Sequence, residues 1–291
     1  MDGKRILWIS DGIKPTGFST VPHNIIKRLP KEWQIHHLAI NYNGDPHEYN
    51  HKVYPAQAGG DIWGFNRIES FGQNKFDAIF ILNDLWVIAQ YLEIIKKTWK
   101  VIPPIVIYFP VDAENFDEDW FQHFDIVTIP IVYTQFGKRV CEQVTKDIDF
   151  RIIPHGVDKS LFYKMDVSKA RDIMFKNHQE LKDGFFFLNV GRNQPRKRLD
   201  IALEAFKIFS DGKPNVYYYH HAGLVDAGWN VAKLVKRLGI DDKFITTNSE
   251  QGLQKVPVEL LNVIYNATDA GINTGLGEGW GELTKLGPCL Q

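Results

Sequence analysis

The chain has 291 residues, enough for two domains of ordinary size, and its 44% apolar and 13% aromatic content supplies buried cores. A formal net charge of -1 gives no field that would draw it to nucleic acid or an acidic membrane, so any anion binding must come from local clusters. Cys141 and Cys289 are too few and too isolated for a disulfide framework or a cysteine metal site, and no run of 18 apolar residues marks a membrane span.

The start, Met1-Asp-Gly-Lys-Arg5, leads into a short strand instead of a signal-peptide core, so the expected compartment is the cytoplasm. The glycosylation sequon Asn266-Ala-Thr268 has meaning only in a secreted chain and is set aside. Short apolar runs alternating with helical patterns predict an α/β fold, with parallel sheets covered by helices on both faces. The first expected strand, 5–10, runs into Asp11-Gly-Ile-Lys-Pro-Thr-Gly17-Phe-Ser-Thr20 and a helix carrying Val21, Ile25 and Leu29. Gly17 frees the backbone to approach a ligand, Ser19 or Thr20 is the cap candidate, and Pro22 suits a first turn. This loop lacks the Gly-Lys-Ser/Thr of a Walker motif and the GxGxxG of a dinucleotide fingerprint.

Further strands are expected at 36–40, 77–82, 105–109, 126–130 and 150–153. The turn Ile153-Pro-His155-Gly-Val-Asp158 through Phe162, followed by a charge-rich helical stretch over 167–182, places a domain boundary near 160–182, dividing the chain into 1–165 and 166–291. His155, in that turn, suits a structural or hinge role. Strands at 185–190, 216–220, 244–246 and 270–273 then build a second sheet. His220 and His221 are adjacent on a strand and face opposite sides, so they cannot share a metal. Lys96-Lys97-Thr-Trp-Lys100 reads as a solvated helix end.

The segment Asn189-Val-Gly191-Arg192-Asn-Gln-Pro-Arg-Lys197 ends one of these strands, turns at Gly191 and sets Arg192 and Lys197 five residues apart. The helix after it is amphipathic, with Leu199, Ala202, Leu203, Phe206 and Phe209 at three- and four-residue steps. Two cations beside the free amides of a helix start form a layout for a diphosphate. Near the end, Asn273-Thr-Gly275-Leu-Gly277-Glu278-Gly279-Trp280-Gly281 again follows a strand. Four alternating glycines imply close backbone approach, and Glu278 in their midst is suited to accept hydrogen bonds from a polyol. Trp280 stands where a dinucleotide loop would need its third glycine.

Taken in order, Thr16-Gly17-Phe18-Ser19, Ile153 to Asp158 with Phe162, Gly191-Arg192 with Lys197, and Glu278-Gly279-Trp280-Gly281 resemble the GT-B fold retaining glycosyltransferases of family 4, also called glycosyl transferases group 1. The resemblance covers nearly the whole chain. It implies two Rossmann-like, doubly wound domains facing a central cleft, an acceptor-side domain followed by a nucleotide-sugar domain. The reaction would be transfer of a hexose, mannose or glucose, from a nucleoside-diphosphate sugar to a glycan, lipid-linked or protein acceptor. Arg192 and Lys197 would bind the donor diphosphate and stabilise the departing charge, with Glu278 holding hydroxyls of the transferred sugar. Gly17, Gly191, Gly279, Trp280 and Gly281 would complete the donor contacts. Retention by front-side displacement, in which the leaving phosphate helps deprotonate the acceptor, needs no paired carboxylates, cofactor or metal.

Some features depart from the family's pattern. Where many relatives have a sugar-contacting histidine after the fourth strand, this chain has Ile107-Tyr-Phe-Pro110-Val-Asp112, leaving Asp112 as the polar candidate or a turn cap. Asp117-Glu-Asp119 matches the metal-holding DxD pattern of another glycosyltransferase fold, but that fold does not account for Arg192 and Lys197, so no metal is expected. Leu286 occupies the place of the usual second glutamate, and Glu282 lies closer to the first. The ending at Gln291 reads as a truncated or frame-shifted second domain, incomplete and with an exposed sheet edge. The alternative function is therefore an inactive nucleotide-sugar-binding remnant. A nucleotide-sugar epimerase or dehydrogenase would need a dinucleotide loop and a Tyr-x-x-x-Lys pair, which do not occur where required.

Overall fold

A computed structural model describes residues 3–13, 17–57, 60–247 and 256–281. The chain divides into two compact units, Met1–His155 and Gly156–Gln291.

The first unit runs β1 (Arg5–Asp11), α1 (Gly17–Ile26), β2 (Gln34–Ile40), β3 (Lys52–Pro55), α2 (Phe65–Phe71), β4 (Ala78–Leu82), α3 (Leu85–Thr98), β5 (Ile105–Phe109), β6 (Ile129–Val132), α4 (Gln135–Val144) and β7 (Arg151–Ile152). Its strands pair in parallel in the order β3-β2-β1-β4-β5-β6-β7. β1 and β2 each bury six consecutive residues, as strands covered on both faces must. Leu7, Ile9, Ile79 and Ile81 pack against α3, while Trp8 and Ile35 pack with Ile25 and Ile26 of α1 on the opposite side.

Local differences from the sequence expectation have physical causes. β3 was not anticipated because it is a short edge strand ending in Pro55, whose missing amide is harmless at an edge. β6 begins at Ile129 because 124–126 forms a 3-10 turn that buries Phe124. α1 begins at Gly17, so Ser19 is no cap; its hydroxyl donates to the Gly12 carbonyl, and Pro22 lies buried in the second turn. The stretch 167–182 yields one helix and a separate 3-10 turn, Gln179–Leu181, instead of continuous helix.

The second unit runs α5 (Val167–Met174), β8 (Phe185–Val190), α6 (Leu199–Ser210), β9 (Val216–His221), α7 (Val231–Leu238), β10 (Phe244–Thr246), α8 (Val258–Ala267) and β11 (Ala270–Gly271). Its parallel sheet has the order β10-β9-β8-β11. Leu199, Ala202, Leu203 and Phe206 of α6 join Val231, Leu234 and Val235 of α7 over Tyr218, while Ile264 and Tyr265 of α8 cover Leu188 and Tyr219. Phe209, placed by periodicity on the same stripe as Phe206, is instead 46% exposed, with the Lys213 ammonium over its ring.

Asn266 of the sequon is buried: its carbonyl accepts from Met165 N at 2.8 Å and its amide donates to Tyr163 O at 3.0 Å. Cys141 is buried on α4, and burial pushes its thiol up to about 12. No helix among the described residues is long and apolar enough to cross a membrane.

Candidate functional site

In the second sheet β9 lies on one side of β8 and β11 on the other, so the strand order reverses at β8. Open parallel sheets bind ligands at the carboxyl ends of the strands at such a reversal. The two loops that emerge there, after β8 and after β11, are the two that carry Arg192, Lys197 and Glu278.

Gly191 makes the first turn at a φ of 146°, a conformation that disfavours any side chain, while a Cβ there would meet no atom within 4 Å. The constraint is conformational and leaves open space at the turn. Arg192 then donates from Nε and Nη2 to the Asp226 carboxylate at 2.7 and 3.2 Å. The fork of hydrogen bonds raises the Arg192 pKa and lowers that of Asp226. Asn193 is fully buried and binds the loop after β9, donating to Trp229 O at 2.7 Å and Gly223 O at 3.2 Å and accepting from Trp229 N at 3.0 Å. A Cβ on Gly228 would lie 2.3 Å from Asn193 Oδ1, so that loop closes on Asn193 only with glycine there.

Pro195–Lys197 forms a 3-10 turn, and Arg198, at a φ of 47°, swings the chain into α6. Lys197 thus precedes the first helical residue by two positions. The glycine loop after β11 docks on this turn. Leu276 N donates to Arg196 O at 2.8 Å, and the Thr274 hydroxyl reaches the carbonyls of Lys197 and Arg198 at 3.0 and 2.8 Å. Lys197 Nζ donates to Glu278 Oε1, and Arg196 lies 3.5 Å from Glu278 Oε2. A Cβ on Gly275 would stand 3.0 Å from Glu278 Oε1 and 3.2 Å from Asn273 Oδ1, so glycine there leaves room for the carboxylate. Gly279, Trp280 and Gly281 follow, all partly buried.

The structure therefore joins Lys197 to Glu278 and gives Arg192 a separate partner in Asp226. Three cations, Arg192, Arg196 and Lys197, face two carboxylates. Arg196, Asn193, Thr274 and Asp226 were not singled out from the sequence; an acidic residue between Gly223 and Gly228 after a strand was the available signal for Asp226.

The other expected positions belong to the first unit or to strand interiors. Gly17 is exposed at the start of α1, and a Cβ there would meet nothing within 4 Å. Asp112 is exposed in the loop after β5 and does not cap the next turn; Asp117 does, accepting from Asp119 N at 3.0 Å. His155 packs against the rings of Tyr108 and Tyr133, and burial pushes its pKa down to about 4. His221 Nδ1 bonds Thr247 Oγ1 at 2.7 Å, whereas His220 packs with Tyr218 and Phe244, so the two face opposite sides as expected. Glu282, Leu286, Thr16 and the ending on which an incomplete second domain was inferred lie outside the described residues.

No family model matches the sequence, and no curated protein matches it. Solved structures match the fold. HepE of Anabaena in complex with UDP superimposes with a TM-score of 0.66 at 15% identity, over 93% of this chain and 74% of its own. A trehalose-6-phosphate protein of E. coli bound with UDP-2-fluoro glucose gives 0.69 at 12% identity, over 99% and 82%. The UDP-forming α,α-trehalose-phosphate synthase of Burkholderia vietnamiensis gives 0.67 at 11%, over 99% and 81%. The fold is GT-B. At these identities the likeness is one of fold, and the GT-B neighbours are matched along nearly all of this chain.

Proposed function

We propose that this GT-B chain is a metal-independent, retaining glycosyltransferase that moves a hexose, glucose or mannose, from a nucleoside-diphosphate sugar to an acceptor hydroxyl. The observation that carries the reading is the meeting of Lys197, Arg196 and Glu278 at the strand-order reversal of the second sheet, with Arg192 on the same loop. UDP in the HepE complex and UDP-2-fluoro glucose in the E. coli structure favour uracil as the base.

In this reading Lys197, Arg192 and Arg196 bind the diphosphate, supplying the positive charge that other transferases obtain from a metal. As the bond from C1 to the β-phosphate oxygen breaks, negative charge grows on that oxygen, and preformed cations are worth most there. The acceptor oxygen forms its bond to C1 on the same face and its proton passes to the departing phosphate. Glu278 accepts from sugar hydroxyls while it holds Lys197. The neutral His155 takes no proton. Asp112, in the first unit, is the candidate contact for an acceptor hydroxyl.

The test is donor hydrolysis without acceptor: the purified chain should release UDP slowly from UDP-glucose or GDP from GDP-mannose, and Lys197→Ala should slow release by roughly 10²-fold or more. A folded chain that binds a nucleotide but never releases it from any sugar is the inactive remnant instead.

A further inference from the structure

Five of the ten histidines fall between positions 23 and 51, and the fold brings three of them together from separate elements. His23 lies on α1, His37 on β2 and His51 at the entry to β3; one ring nitrogen from each lies within 4.8 Å of the other two. His37 is fully buried and the other two are partly exposed.

The hydrogen-bond partners settle which nitrogens are bare. The Ser10 hydroxyl accepts from Trp8 Nε1 at 3.1 Å and donates to Asp11 O at 3.2 Å, so toward His37 Nε2, 2.9 Å away, it can only accept. Ser10 O, 3.3 Å from the same nitrogen, also only accepts. His37 therefore carries its proton on Nε2 and accepts through Nδ1 from His51 Nε2 at 3.4 Å, a proton that His51 would move to its own Nδ1 on ligating a metal. His23 Nε2 lies 2.7 Å from the Gly12 carbonyl, which forces the proton there too and leaves His23 Nδ1, buried and without a hydrogen-bond partner, as a bare lone pair. Imidazoles whose outer N–H is fixed by a backbone or side-chain oxygen are the arrangement in which histidine ligates a metal.

We propose that His23, His37 and His51 bind one divalent transition-metal ion, zinc being the best fit. Two nitrogens on a tetrahedral zinc at 2.0–2.1 Å are about 3.3–3.4 Å apart, which is the His37 to His51 spacing seen here. Three imidazoles and no thiolate or carboxylate suit zinc over calcium or magnesium. Burial lowers all three histidine pKa values, His51 to about 4. Tyr49 stacks flat on His23 with ring centres 3.5 Å apart and fixes that ring. An open cleft of about 850 Å³, lined by His23, Tyr49 and His51, gives the ion a route in. The ion would pin the segment 41–51 to α1 and β2, and it is independent of the transfer chemistry proposed for the second unit.

The test uses the full chain, stripped with a chelator and titrated with Zn²⁺, read by metal content after gel filtration, by thermal shift and by the visible spectrum of a Co²⁺ substitution. One equivalent should bind, with a rise in Tm and tetrahedral Co²⁺ bands. His23→Gln and His51→Gln, both at partly exposed positions where folding is tolerant, should each weaken binding more than about 100-fold. His178→Gln, at an exposed position in the second unit, should leave it unchanged. Failure of the folded wild type to bind, or equal binding by the His23 and His51 variants, would show a neutral histidine network or adventitious surface binding and would overturn the proposal.

Discussion

The polar cluster at the ends of β8 and β11 and the histidine cluster beneath α1 are built on opposite principles. The first is made of charged side chains, all partly solvated, that neutralise one another across three loops, those after β8, β9 and β11. The second is made of neutral rings whose protons are already committed to Ser10 and Gly12, around a fully buried His37. Cations held by carboxylates can exchange those partners for an incoming phosphate at little cost, because solvated ion pairs are individually worth only about 0–1 kcal/mol. Buried lone pairs without a proton are suited to a cation. On the two proposals one unit is prepared for an anion and the other for a metal, by chemistry and not by fold, since both lie on parallel sheets.

The largest expected effect is at the charged cluster. Lys197→Ala or Arg192→Ala should lower turnover by roughly 10²-fold or more, as loss of a preformed transition-state partner does, without loss of folding. Equal turnover in both variants would erase the contrast between the two clusters. Next, Gly275→Ala puts a Cβ against Glu278 Oε1 and Asn273 Oδ1 and should weaken sugar-nucleotide binding about tenfold, measured by calorimetry, through an overpacking cost near 1–2 kcal/mol.

Acid sharpens the comparison in a different way. His155 and His220 titrate near 4 in the folded chain, below the ordinary value of 6.5, because burial disfavours the charged ring. The unfolded chain therefore takes up protons first, and the stability that this difference contributes is intact above about pH 6.5 and lost as pH falls toward 4. Urea midpoints between pH 7 and 4.5 should fall, and the fall should be shallower in His220→Asn. The smallest effect is at Gly17: its Cβ would stand in open space, so Gly17→Ala should change stability by less than about 0.5 kcal/mol. Any loss of activity in that variant would then report a ligand and not the fold.

The two loops proposed to hold an anion were legible in the sequence because each is local: Gly191 to Lys197 is one, Gly275 to Gly281 the other, and both follow apolar strands. Their pairing through Lys197 and Glu278 was not legible, since only the sheet order makes β8 and β11 neighbours. The partner of Arg192 was missed for the same reason, Asp226 being 34 residues away. The histidines escaped notice because α1, β2 and the segment before β3 contribute one each, at irregular spacing, and adjacent His36 and His37 face opposite sides of one strand. Helix starts are the least legible from sequence: Ser19 has the chemistry of a cap, but the chain enters α1 two residues earlier and uses that hydroxyl on Gly12. Phe209 kept the helical period yet lies near the end of α6, where it packs edge-on against Phe187 at the margin of the core and stays half-exposed.

The most direct measurement is calorimetric titration of the folded chain with UDP, GDP and ADP, repeated on Lys197→Ala and Arg192→Ala. One nucleoside diphosphate should bind the wild type, and both variants should lose at least about tenfold in affinity for it. Binding that is the same in all three proteins, or absent for every nucleotide, would contradict a diphosphate site between β8 and β11.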